Sequence, residues 1–300
     1  MSLPDLAELV ALRGPARGLS LHAHRPALAL LQGSHRSAQR GRGLEFEEVR
    51  PYAPGDDTRN IDWRVTARRG RPHTKLFREE RERPVWLLAD LHPGLYFGSR
   101  RQLKSALLLR AAALLAWVAV LGGDRLGALI ASGHDQPRIF PPRGREAGVL
   151  PVLEALVEAQ PQAPGVPDAD SLNALLAGLR PLLQPGSLVL VLSDFSALDE
   201  RTESALAALS AHSDCRLLGL SDPLERNGLP AGLYRAGLPG RLWWLDGARS
   251  RDAWQEKWAA RQQRLDALAR RLALPLTHLD TADAVAESLP PLLRETAWAA

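Results

Sequence analysis

Two aspartates in the sequence stand where α/β proteins usually place their chemistry. Asp90 closes the apolar run "VWLLAD", and Asp194 follows the run "SLVLVLS". An apolar run of this length that stops at an acid predicts a buried strand with a carboxylate at its carboxyl end. Ligands of open parallel sheets bind outside those ends. A carboxylate there can ligate a cation, although strand-end aspartates more commonly cap the next helix and orient its loop.

A second constellation is "RPYAPGDDTRNIDW", from Arg50 to Trp63 and including Tyr52. Pro54 and Gly55 suit a tight turn, and Asp56 or Asp57 is expected to cap a short helix in which Ile61, Val65 and Trp63 face a core. Arg50, Arg59 and Arg64 with Asp57 and Asp62 can form an ion network that fastens the amino-terminal segment to the main sheet. Exposed arginines around it can dock a partner, and the two roles can coexist. Upstream, "HRSAQRGRG" offers Arg36, Arg40, Arg42 and glycine amides as a phosphate cradle. No aromatic residue is interleaved there, which leaves nucleic-acid binding as the lesser alternative. The sequence has no "GxSxG" elbow, no paired histidines at helical spacing and no "GxxxxGK[ST]" loop, so hydrolase and nucleotidase chemistry lack an anchor. His73 and His278 stand alone and read as ordinary structural histidines.

The elements that must position these residues follow from the apolar pattern. After Arg83, short apolar runs alternate with helical patterns, an α/β signature. "VWLLAD" precedes a long apolar helix from about Arg101 to Leu121, and "RLGALIAS" and "QPRIFPP" suggest adjacent strands joined at "GHD". Helices are expected at Glu146 to Glu158 and Ser171 to Leu183, then the strand "SLVLVLSD" and a helix capped by Asp199. "CRLLGLSD", "RLWWLD" and "LPLTHLD" read as further strands. From Arg251 to Leu272, Trp254, Trp258, Leu265, Leu268 and Leu272 recur at helical spacing and read as a core stripe. A last helix is expected near Ala282 to Trp298. This order builds a doubly wound, mostly parallel sheet.

Composition narrows the partners. The net charge is only +4, with thirty-five arginines and three lysines, and the segment from His35 to Arg83 carries the whole excess. Basicity alone therefore does not call for nucleic acid. The single cysteine, Cys215, excludes an internal disulfide framework and fits a reducing compartment. The amino terminus does not read as a secretory signal, and Arg110 interrupts "SALLLRAAALLAWVAVLGG", the one membrane-like run, so a buried helix is expected there.

Together "EFEEVRPYAPGDDTRNIDWRVTARRG", "LLAD", "GDRLGALIAS", "LVLVLSDF" and "GLSDPLE" resemble the family called domain of unknown function 58 over nearly the whole chain. The resemblance implies a von Willebrand factor A-like fold and partnership with MoxR-type AAA+ ATPases of bacteria, beside which relatives are typically encoded. In that fold a metal-ion-dependent adhesion site is made by "D-x-S-x-S" after the first strand, a threonine in a later loop and an aspartate after the fourth strand. Here the first element is "DLHPG": Asp90 is kept, but His92 and Gly94 replace the two serines. Asp170 or Ser171 stands in the threonine's place, and Asp194 survives. Magnesium favours near-octahedral oxygen ligation, so the site is expected to be degenerate and without a cofactor. A divalent cation on Asp90, Asp170 and Asp194, with His92 favouring a transition metal, is the alternative.

The expected organisation is thus an arginine-rich extension over residues 1–83 and a von Willebrand factor A-like domain over 84–300. The expected function is a cytoplasmic, non-catalytic protein-interaction or assembly module working with a MoxR-type ATPase. A metal-dependent hydrolase using the strand-end aspartates is the alternative.

Overall fold

A computed structural model describes residues 2–21, 44–53, 58, 61–79, 83–133, 136–238, 241–289 and 293. Residues 34–82 form one compact unit, and residues 1–33 with 83–300 form the other. The second break falls after Glu82. The first residues, however, belong with the larger unit, because an apolar helix there needs their cover.

The smaller unit is built on a pair of antiparallel strands, β1 (Leu44–Pro51) and β2 (His73–Glu79), with one α-helix between them among the described residues. Helix α3 (Trp63–Arg69; α1 and α2 are defined below) starts at Asp62, whose carboxylate accepts from the Arg64 and Val65 amides. It ends at Gly70 in the left-handed conformation, φ 69°, which glycine adopts without steric cost. Trp63 does not face a core as expected: it is 70% exposed, because the first turn of α3 has no buried residue to set against. His73 is buried, its Nδ1 donating to the Arg71 carbonyl.

The larger unit holds a six-stranded sheet. Its strands are β3 (Pro84–Asp90), β4 (Arg125–Ala131), β5 (Arg138–Arg143), β6 (Leu188–Ser193), β7 (Asp214–Ser221) and β10 (Leu276–Asp280), in the order β10-β7-β6-β3-β4-β5. Five are parallel; β5 runs antiparallel to β4. Every residue of β3, β6 and β7 is buried, which explains why they read as unbroken apolar runs. Alternate residues serve opposite faces. Leu87, Leu190 and Leu218 pack into one core with α1 (Leu6–Ala11), α2 (Arg13–Ala16), α4 (Lys104–Leu121), α5 (Glu146–Ala159) and α10 (Val285–Ser288). Leu88, Val191 and Leu217 pack into the other with α6 (Ser171–Leu179), α7 (Glu200–His212) and α9 (Gly247–Arg271). The sheet is doubly wound, as the sequence predicts.

Helix α4 is apolar on all sides and buried along nearly its whole length. Arg110 escapes the core by bonding Glu8 and Gln102. Leu9 and Ala16 join the same core, and the Trp117 indole donates to the Leu9 carbonyl. This is why residues 2–21 group with the large unit rather than with an amino-terminal extension.

Three expectations change. "RLWWLD" is strand β9 (Arg241–Asp246), paired only with β8 (Leu233–Leu238) in a separate hairpin that leaves Leu233, Leu242 and Trp244 exposed. Trp254 and Trp258 are half-buried and outside both cores; only the later part of α9, with Leu265, Leu268 and Ala269, reaches the sheet. At the carboxyl terminus the described helix is α10 alone, and most residues from 290 onward lie outside the described set.

Candidate functional site

The chain leaves β3 toward β4 on one side of the sheet and later returns as β6 on the other, so the topological switch lies between β3 and β6. Ala89 pairs in register with Leu192, which brings Asp90 and Ser193 side by side at the carboxyl edge. Ser193 Oγ donates to Asp90 Oδ2 at 2.5 Å, and Ser171 Oγ, on the first residue of α6, donates to Asp90 Oδ1 at 2.5 Å. The Ser193 hydroxyl also accepts from the Phe195 amide at 2.9 Å, an arrangement set by Phe195 at a left-handed φ of 48°.

Asp194 lies beyond this pair. Its Oδ2 accepts from Lys104 Nζ at 2.7 Å, its Oδ1 accepts from the Ser196 amide at 3.0 Å, and His92 Nε2 is 3.5 Å away. Lys104 is the first residue of α4, where its side chain can turn back over the sheet edge. Its ammonium also donates to Glu225 Oε1 at 2.8 Å. Glu225 belongs to the short helix α8 (Pro223–Asn227) and completes a capping box with Asp222. Asp222 in turn accepts from the Ser99 amide and hydroxyl and from the Thr281 hydroxyl. The ends of β3, β6, β7 and β10 are thereby tied by one polar layer.

Burial governs the electrostatics. It pushes the Asp90 carboxyl above its ordinary range, against the nearby His92 charge and the two serine hydroxyls. Burial would do the same to Asp194, but the Lys104 charge, followed by His92, outweighs it and holds this carboxyl well below its usual value. For His92 and Lys104 burial favours the neutral form. Asp194 overcomes it in both, with Asp90 adding to His92 and Glu225 to Lys104, so both groups sit above their ordinary values.

The sequence-predicted Asp90, His92, Ser171 and Asp194 come together here. Asp170 does not: it is exposed and bonds Arg201 on the surface, whereas Ser171 reaches Asp90. At Gly94 a Cβ would lie 2.8 Å from Pro167 Cγ and 3.0 Å from the His92 ring, so the loop has no room for a serine. The donor set does not fit a magnesium ion. The ammonium of Lys104 already takes the Asp194 oxygen, and no group of three His, Cys, Asp or Glu among the described residues is arranged to hold a metal.

Lys104, Ser193 and Glu225 were not singled out from sequence. A lysine opening an apolar helix in a chain with only three lysines was the available signal. Of the "RPYAPGDDTRNIDW" element, Arg50 donates to the Pro51 carbonyl, the Tyr52 amide donates to the Pro72 carbonyl, and Asp62, not Asp56 or Asp57, caps the described helix. Pro54, Gly55, Asp56, Asp57 and Arg59 lie outside the described residues, as does the "HRSAQRGRG" segment.

The family described as "Protein of unknown function DUF58" matches residues 48–264. The uncharacterized proteins Rv1480 of Mycobacterium tuberculosis and Mb1516 of Mycobacterium bovis are each 36% identical over 179 residues, 60% of this chain. The match spans 56% of those relatives' own length. Among solved structures, the conserved hypothetical protein BatB from Bacteroides thetaiotaomicron is similar at 12% identity and a TM-score of 0.44, over 70% of this chain and 96% of that one. An aerotolerance-related membrane protein from Bacteroides fragilis is similar at 13% identity and a TM-score of 0.40, over 70% and 98%.

Proposed function

The chain belongs to the DUF58 family, and from that premise we propose that it is a non-catalytic interaction module of von Willebrand factor A-like design. In this reading it acts in the cytoplasm with a MoxR-type AAA+ ATPase. One observation carries it: a protein-borne cation, Lys104, sits between Asp194 and Glu225 at the switch point. A general base needs a carboxylate or imidazole within reach of substrate. Here Asp90 accepts two hydroxyls, Asp194 is bonded to the ammonium, and Ser171, Ser193 and His92 are all buried. The edge is a fixed scaffold, rigid enough to present the loops around it to another protein.

Sedimentation velocity of the purified chain with a MoxR-type ATPase encoded in the same genome tests the reading, with ATP, with ADP and without nucleotide. A co-sedimenting complex that depends on nucleotide is the expected result. No complex in any state, together with a hydrolytic activity that Asp194→Asn abolishes, would replace the module with an enzyme.

A further inference from the structure

Next to the Lys104–Glu225 pair the surface opens into a groove of about 830 Å³. The loop after β6 forms one wall with Leu198, backed by the buried Phe195, and the amino-terminal part of α9 forms the other with Trp254 and Trp258. Along α9 the lining residues run from Ser250 to Arg264. At 1.5 Å per residue this is roughly 21 Å, four turns of helix. The lining positions recur at spacings of three and four, so one continuous face of α9 borders the groove.

The walls and the rim differ in character. Trp254 is fixed, its indole donating to the Glu225 carbonyl at 2.8 Å. The Trp258 indole makes no hydrogen bond among the described residues, although the ring is half-buried. On the rim, Arg264 is already committed to Glu203, but Lys257 and Arg261, one turn apart, form no ion pair with any described carboxylate. Glu225, the acid in the lining, is held by Lys104. The groove therefore presents apolar walls beneath two unpaired cations, with its own acid, Glu225, bonded to the Lys104 ammonium.

We propose that this groove seats an acidic amphipathic helix of a protein partner, its apolar side chains between Trp258 and Leu198 and its carboxylates on Lys257 and Arg261. The proposal rests on the interaction-module reading and names its seat. Length and charge select this occupant: an amphipathic helix lying along a four-turn groove places apolar anchors at i, i+3, i+4 and i+7. Acids on its flank then meet cations spaced one turn apart.

The test uses the full chain and a fluorescein-labelled 16-residue helical peptide with Leu and Phe at those anchor positions and Glu flanking them, read by anisotropy. A charge-reversed peptide with Lys in place of Glu is the control. The native chain is expected to bind the acidic peptide at least tenfold more tightly than the basic one. Trp258→Ala and Arg261→Glu should each weaken binding at least tenfold while leaving the thermal midpoint within a few degrees. Failure to bind the acidic peptide, or equal binding by the folded variants, overturns the proposal. So does an acidic single-stranded oligonucleotide that binds more tightly than the peptide through the same residues. Loss of the ATPase complex with peptide binding intact would sink the partner reading alone; the reverse would sink the groove alone.

Discussion

Lys104 and Asp194 are ninety positions apart in the chain, yet their side chains meet at 2.7 Å with 2% and 3% exposure. The contact joins the start of α4 to the end of β6, across the point where the sheet changes winding direction. Glu225 closes the same ammonium from the β7 side. Three segments that are remote in sequence thus share one charge.

Removing that charge strands the buried Asp194 carboxylate beside the partly exposed Glu225. Lys104→Met should cost about 3–5 kcal/mol, the usual penalty for stranding a buried ion. Urea unfolding monitored by circular dichroism measures it. Adding Asp194→Asn and Glu225→Gln to Lys104→Met should recover part of the loss, which a simple packing defect would not.

If the ammonium stands in for a metal cation, deleting it should create a demand for one. Lys104→Ala is expected to be stabilised by magnesium or manganese, by about 1.4 kcal/mol at ten times the dissociation constant. The parent should melt at the same temperature with magnesium or a chelator. A parent that loses stoichiometric metal and stability together on chelation would show that the carboxylates bind an ion beside Lys104.

The shifted groups give stability a signed dependence on pH. His92 is raised in the folded state, so its contribution is present below its ordinary value near 6.5 and is lost as pH rises through the folded value. Asp194 is lowered, so its contribution is present above the ordinary carboxyl range and is lost as acid approaches its folded value. Asp90, raised by burial, opposes Asp194 on the acid side. Comparing the parent with His92→Gln across pH 6 to 9 (about neutrality) isolates the imidazole. The parent should lose stability relative to the variant as pH rises, and an imidazole titrating below 6.5 by NMR would contradict the assignment.

A hydroxyl side chain should not fit at position 94. Gly94→Ser drives a Cβ against Pro167 and the His92 ring, an overpacking that costs about 1–3 kcal/mol. The variant is expected to gain no magnesium by elemental analysis after gel filtration.

Asp90 and Asp194 were legible in sequence because fully buried parallel strands are continuous apolar runs, and an acid at the end of such a run marks the sheet edge. The choice between Asp170 and Ser171 was not legible, since it turns on which way the first turn of α6 faces. Lys104 was hidden for a related reason: helical periodicity says nothing about a side chain that folds back past the helix start. Trp254 and Trp258 share the period of Leu265 and Leu268, and period identifies a face without showing whether anything covers it. α9 is longer than the layer it packs on, so its apolar face continues beyond the core.

The all-apolar surface of α4 has a consequence in time as well as in space. Leu9 and Ala16, which cover one side, are synthesised before the helix; β6 and β7, which complete the sheet beneath it, come after. At ribosomal rates of about 5–20 residues per second, the hundred residues from Leu121 to Ser221 take roughly 5–20 s to appear. During that interval the apolar helix has for cover residues 2–21 and β3, made before it, and then β4 and α5 as they follow. Residues 2–21 thus give part of the helix a packing partner that is made before the sheet is complete.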